Sequence, residues 1–131
     1  MPSNKAILII DDEFIILESL RIQISRLLPE SVLLEAASSG DESIQLIDEF
    51  YENGQDLALV ISDYHLDDAK GTDILKHAIS KFPDVQKVIL TGQADTEQIE
   101  DFKTHYGLDG LFTKPWDFVD IKNVILPLLD K

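Results

Sequence analysis

The sequence predicts an α/β fold: an open, five-stranded parallel sheet with helices on both faces. Three observations predict it. Five short apolar runs are spread along the chain, each of strand length. The segments between them repeat apolar residues at helical spacing. The runs are largely apolar throughout instead of alternating, as strands covered on both faces are. Strands that alternate with helices assemble as parallel, right-handed crossover units.

The elements follow in order. KAILII (5–10) is the first strand. Leu17, Leu20, Ile24, Leu27 and Leu28 then share a helical face, and Pro29 stops that helix. SVLLEAA (31–37) reads as the second strand; Ile44, Ile47 and Tyr51 mark the second helix, which Asn53-Gly54 closes. LALVIS (57–62) is the third strand. Ile74, Leu75, Ala78, Ile79 and Phe82 make a third helix ended by Pro83, and KVILT (87–91) is the fourth strand. Asp95 or Thr96 can cap a fourth helix carrying Ile99, Phe102 and Tyr106. GLFT (110–113) is a short fifth strand. Phe118, Ile121, Ile125 and Leu128 make the last helix, which Pro127 is expected to kink or terminate. The expected strand order is 2-1-3-4-5, a doubly wound, flavodoxin-like sheet.

Composition bounds the function. At 131 residues the chain is expected to form one domain, 1–131, with a single sizeable core. No apolar stretch reaches the ~20 residues of a bilayer span. The N-terminal MPSNKAILII lacks the apolar region and cleavage site of a signal peptide, so a cytoplasmic location is expected. With no cysteine, disulfides, thiol chemistry and cysteine-ligated zinc are excluded. Twenty-five acids against eleven bases give a formal net charge of −14. That balance argues against direct nucleic-acid binding, which needs cations to displace phosphate counterions, and against an anionic membrane surface.

The acids that matter sit where strands end. Open parallel sheets bind ligands beyond the carboxyl ends of their strands, where strand order reverses, here between strands 1 and 3. Strand 1 ends in IIDDE, with Asp11 and Asp12, and strand 3 ends in VISDY, with Asp63. Thr91 ends strand 4 and Lys114 follows strand 5 on the same edge. Crowded carboxylates repel, so they hold a metal or raise a pKa. An oxygen-only donor set favours a hard cation such as Mg²⁺ with phosphate oxygens. An aspartate can act as nucleophile and form an acyl phosphate. Lys114 would neutralise phosphoryl charge, and the Thr91 hydroxyl can donate to a phosphoryl oxygen. Each piece alone is commonplace in caps and turns; their conjunction at the correct strand ends is not.

The set Asp11, Asp12, Asp63, Gly71, Thr91 and Lys114-Pro115 resembles the receiver domains of two-component response regulators, of which the single-domain chemotaxis regulators are the simplest. The resemblance covers essentially the whole chain. It implies phosphorylation of Asp63 by a sensor histidine kinase or a phosphotransfer protein. It also implies Mg²⁺ bound through Asp12, Asp63 and the backbone carbonyl of His65, with Asp11 reaching the ion mainly through water, and a cis Lys114-Pro115 bond. The output partner or fused output domain is not given by these residues. LTGQAD and TKPWD are similar to segments of receivers attached to cyclic-dinucleotide phosphodiesterases or hybrid kinases. The chain ends right after its last helix, which fits a free-standing receiver or one excised from a longer protein.

Departures from the family pattern bear on the switch. Many receivers carry Tyr or Phe at the position of Leu111, and Leu111 weakens the case for an inward-turning aromatic, with Phe112 on the opposite face. Gly92 is small, as the family requires for access to the acceptor; His65 and Gln93 occupy positions that vary across the family and tune phosphate lifetime, and His65 reads equally as a solvated loop histidine. Proline is common at position 67, so Asp67 is expected to loosen its loop, and both Asp67 and Asp68 are expected to be solvated turn residues. Rival readings fare less well. An EF-hand fails because His65, Asp68 and Ile74 stand where a ligand, Gly and Glu are needed. The three histidines, 65, 77 and 105, lack zinc-ligand spacing. A Mg²⁺-dependent phosphatase with an aspartyl nucleophile would need an acid at position 65 and a substrate cap. A module that never turns over phosphate would not need the intact Asp, Thr and Lys set.

Overall fold

The computed structural model describes residues 4–92 and 96–129. Its strands are β1 (Lys5–Ile10), β2 (Leu33–Ala37), β3 (Asp56–Asp63), β4 (Gln86–Thr91) and β5 (Gly110–Thr113). Its helices are α1 (Phe14–Ser25), α2 (Gly40–Glu52), α3 (Gly71–Lys81), α4 (Thr96–Tyr106) and α5 (Phe118–Leu129). All strand pairs are parallel, in the order β2-β1-β3-β4-β5.

Two apolar layers explain the strand sequences. Ala6, Leu8 and Ile10 of β1 face one layer with Val60, Ile89 and residues of α2, α3 and α4. Ile7 and Ile9 face the other, with Ile61, Val88, Leu90, Phe112 and residues of α1 and α5. A strand covered on both sides has no polar face, so β1 reads KAILII without alternation. The edge strand β2 is less covered, and its Leu33 is exposed.

Several boundaries differ from the sequence expectation. α1 ends at Ser25, before Leu27 and Leu28. A turn carries those two residues on, with Leu27 N–H bonded to the Ile24 carbonyl at 2.9 Å, and they pack half-buried beneath α1. Pro29 disfavours helical backbone at Leu28, so the helix stops short of it. β2 begins at Leu33, not at position 31, because Val32 N–H still closes a turn onto the Pro29 carbonyl. On α2 the buried aromatic is Phe50, at 4% exposure, and Tyr51 is 55% exposed. Tyr51 instead sets its ring edge-on to Phe82, with Lys81 above it. Tyr106 is likewise exposed, stacked on the buried Phe102. α5 does not terminate at Pro127 but runs to Leu129. The closure at Asn53-Gly54 is as expected: Gly54 has φ of +71°, and Gln55 and Gly54 donate to the Phe50 and Tyr51 carbonyls. The expected α4 cap, Asp95 or the Thr96 side chain, lies outside the described residues.

Of the glycines, Gly71 in the β3–α3 connection has the least room for a side chain. Gly71 opens α3 and donates its N–H to the Tyr64 carbonyl at 2.7 Å. A Cβ at position 71 would lie 2.3 Å from the backbone oxygen of Asp63, so only glycine fits there without backbone movement. Gly71→Ala is therefore expected to destabilise the protein by about 1–3 kcal/mol, the usual cost of overpacking. The measurement is the urea midpoint, and an unchanged midpoint would mean the crossover has room.

Candidate functional site

The carboxyl ends of β1 and β3 are adjacent, with Ile10 paired to Ser62. The residues that follow therefore meet. One carboxylate oxygen from each of Asp11, Asp12 and Asp63 lies within 4.8 Å of the other two. Asp11 and Asp63 are buried and Asp12 is half-buried. Lys114 reaches in from the end of β5. Its ammonium lies 2.8 Å from Asp11 Oδ2 and 3.1 Å from Asp63 Oδ2. Glu13, mostly exposed, stands 3.7 Å away on the same cation.

The backbone fixes these side chains. Glu13 N–H donates to Asp11 Oδ1 at 2.9 Å, which orients that carboxylate. The other Asp11 oxygen is ion-paired with Lys114 but receives no aligned hydrogen bond, although it is buried. Asp12 Oδ2 accepts the Asp67 N–H at 2.8 Å. Thr91 is buried at the end of β4, one residue past Leu90, the partner of Asp63. Lys114 N–H donates to the Thr91 carbonyl at 2.8 Å, which joins the ends of β4 and β5. The Lys114–Pro115 bond is cis. His65 is exposed and opens the β3–α3 loop, bridged to Lys70.

One ammonium cannot balance three ionised carboxylates. Burial, first of all, pushes the Asp63 carboxyl above its usual range; the Lys114 hydrogen bond pulls it down, and the Asp11 charge pushes it up again. Burial pulls Lys114 down, yet its bonds to Asp11 and Asp63 outweigh that, and the net direction is up. An all-oxygen cluster with surplus negative charge is chemically suited to a hard divalent cation.

A family model of the response regulator receiver domain matches residues 7–126. The chain belongs to this family. Among solved structures, this receiver domain is similar to a CheY-like response regulator receiver domain protein from Methanospirillum hungatei. The two are 29% identical with a TM-score of 0.79, over 96% of this chain and 94% of that one. A response regulator protein from Burkholderia pseudomallei, solved with a phosphorylated aspartic acid, calcium ion and citrate, shares the fold. Its TM-score is 0.72 at 22% identity, over 92% of this chain and 65% of that one. The hydrogenase transcriptional regulatory protein HoxA of Cupriavidus necator is 26% identical over 110 residues, 84% of this chain. The receiver spans 21% of the length of that relative.

All the side chains singled out in the sequence, Asp11, Asp12, Asp63, Thr91 and Lys114, stand at this edge of the sheet. Gln93 lies outside the described residues. Asp67 and Asp68 are exposed, as expected of solvated turn residues, but Asp68 is also hydrogen-bonded. Its carboxylate accepts the N–H groups of Gly40 and Asp41 at 2.8 and 3.0 Å, and those bonds hold its pKa below the usual carboxylate value. The Asp67 N–H is bonded to Asp12. Leu111 is 48% exposed and Phe112 is buried on the other face. Sequence reasoning missed Tyr64. It is fully buried, and its hydroxyl bonds to Gln98 on α4, which also accepts from Lys70. The signal was present: a tyrosine that continues an apolar strand must bury its ring and find a partner for its hydroxyl.

A carboxyl whose pKa is raised by folding binds its proton more tightly in the folded state, so stability falls as pH rises through the window between the unfolded and folded values. In protein freed of divalent cations, Asp63→Asn should therefore melt above wild type at neutral pH. The difference should close as the pH falls through the Asp63 titration. A difference that widens in acid would mean that Lys114 more than offsets the burial of Asp63.

Proposed function

We propose that this receiver domain accepts a phosphoryl group on Asp63 from a phosphohistidine of a sensor histidine kinase or phosphotransfer protein. The observation that carries the reading is the placement of the Lys114 ammonium between Asp11 and Asp63 at the mouth of the carboxylate cluster. A carboxylate oxygen of Asp63 forms the new bond to phosphorus. The phosphorus–nitrogen bond of the donor breaks, and its electron pair stays with the imidazole. Lys114 holds the incoming phosphoryl oxygens, and the Thr91 hydroxyl donates to one of them.

Asp11, Asp12, Asp63 and the His65 carbonyl would hold Mg²⁺, which supplies positive charge against the phosphoryl oxygens. Phosphorylation adds roughly two negative charges and three acceptor oxygens at Asp63. Thr91 and Lys114 answer that change together, because Lys114 N–H is bonded to the Thr91 carbonyl. Through them the signal reaches the elements that follow β4 and β5. No aromatic is available at position 111, where the exposed Leu111 stands, so movement of loops and of α4 carries the response. The phosphorylated form then engages an output domain or partner; a cyclic-dinucleotide phosphodiesterase or hybrid kinase fits the sequence around Thr91 and Trp116. The domain acts as a signalling module and not as an enzyme that turns over a substrate. A phosphatase would need an acid at position 65, and the residue there is an exposed histidine.

Incubation with acetyl phosphate and Mg²⁺ should add one phosphoryl group, detected by intact mass and removed by hydroxylamine. Asp63→Asn should abolish it. Labelling that persists in this variant would place the acceptor elsewhere.

A further inference from the structure

The loop after Asp63 is held at both sides of its tip, by Asp12 on one side and by the N-terminus of α2 on the other. It closes on itself through Leu66 N–H to the Ala69 carbonyl at 3.0 Å and Gly71 N–H to the Tyr64 carbonyl at 2.7 Å. That leaves Asp67 and Asp68 projecting at the tip. On one side Asp67 N–H grips Asp12 Oδ2. On the other, the two oxygens of Asp68 take the first two N–H groups of α2, from Gly40 and Asp41. These are donors that no intrahelical carbonyl can satisfy, at the positive end of the helix dipole. The seat is shaped for the loop. A Cβ on Gly40 would lie 2.8 Å from the Ala69 Cβ and 3.0 Å from Asp68 Oδ1.

We propose that Asp68 is a positioning residue for the cation site: by clamping the β3–α3 loop to the N-terminus of α2, it fixes the Asp67 N–H on Asp12 and the loop that carries the His65 carbonyl. The inference rests on the metal reading given above. Asp68 is not the only cap of α2, because Ser39 accepts the Glu42 N–H at 3.1 Å. The Asp68 bonds do more than finish the helix: they also join two segments 28 residues apart. Without it, Asp12 loses a fixed orienting donor, and the loop is free to draw its carbonyl away from the ion. Groups that orient metal ligands from outside the coordination shell contribute heavily to affinity.

The test is a Mg²⁺ titration of the metal-free protein, read as the rise in melting temperature, for wild type, Asp68→Ala, Asp68→Asn and Ser39→Ala. Asp68→Ala should weaken Mg²⁺ binding about tenfold, the lower end of what loss of an outer-shell partner costs. Asp68→Asn keeps one acceptor oxygen and should fall between it and wild type. Ser39→Ala loosens the start of α2 without touching the loop and should leave Mg²⁺ affinity unchanged. In metal-free protein, amide exchange at Asp67 should accelerate in Asp68→Ala and not in Ser39→Ala. Unchanged Mg²⁺ affinity in Asp68→Ala would overturn the clamp and leave the metal reading standing. Equal losses in Asp68→Ala and Ser39→Ala would also overturn it, since α2 integrity would then be the cause. A wild-type protein that Mg²⁺ does not stabilise would overturn the metal reading and the clamp with it.

Discussion

The ion pairing of Lys114 with Asp11 and Asp63 is the interaction on which the site depends. Two carboxylates at the ends of neighbouring strands, both buried, would repel each other strongly if left alone. The ammonium lets them share one crevice, and it ties β5 to β1 and β3 across the top of the sheet. Buried ion pairs are poor sources of net stability, but stranding one member typically costs about 3–5 kcal/mol. The cluster is therefore better viewed as stored electrostatic tension than as a staple.

Topology makes this arrangement inexpensive elsewhere. Because β2 lies to one side of β1 and β3 to the other, no crossover helix covers the junction of the β1 and β3 ends. The apolar layers above and below the sheet do the folding, and none of the site residues belongs to either. The site is bounded instead by short loops held by backbone hydrogen bonds. Tyr64 is the exception: it belongs to the apolar layer, follows Asp63 directly, and bonds to α4 through Gln98. It therefore joins the loop after Asp63 to α4.

The architecture was legible because its signals are local and redundant. Each strand is an apolar run, each helix a periodic stripe, and most turns carry Pro or Gly. Asp11, Asp12, Asp63, Thr91 and Lys114 were legible because a parallel sheet sends every strand end to one edge. What periodicity cannot give is phase to the residue. Positions 50 and 51 lie 100° apart on a helix and both border the stripe, so Tyr51 was chosen where Phe50 is buried. Asp68 was illegible for another reason. Its partners are backbone N–H groups, which leave no trace in side-chain identity, and they lie 28 residues away. Reading IIDDE for its acidic pair likewise passed over Glu13, the third acid near Lys114. The roles of the residues came from resemblance to a family, whereas their proximity is a matter of geometry.

The claim that one ammonium holds two buried carboxylates in balance is tested most directly by following the Asp63 side-chain carbon by NMR across pH, in metal-free protein, for wild type and Lys114→Met. Methionine keeps much of the lysine's apolar length and removes its charge. Burial and the Asp11 charge would then act on Asp63 unopposed, so its titration should move to higher pH in the variant. A titration that stays where it is in wild type, or moves lower, would show that Lys114 does not govern the site, and the account built on it would be wrong.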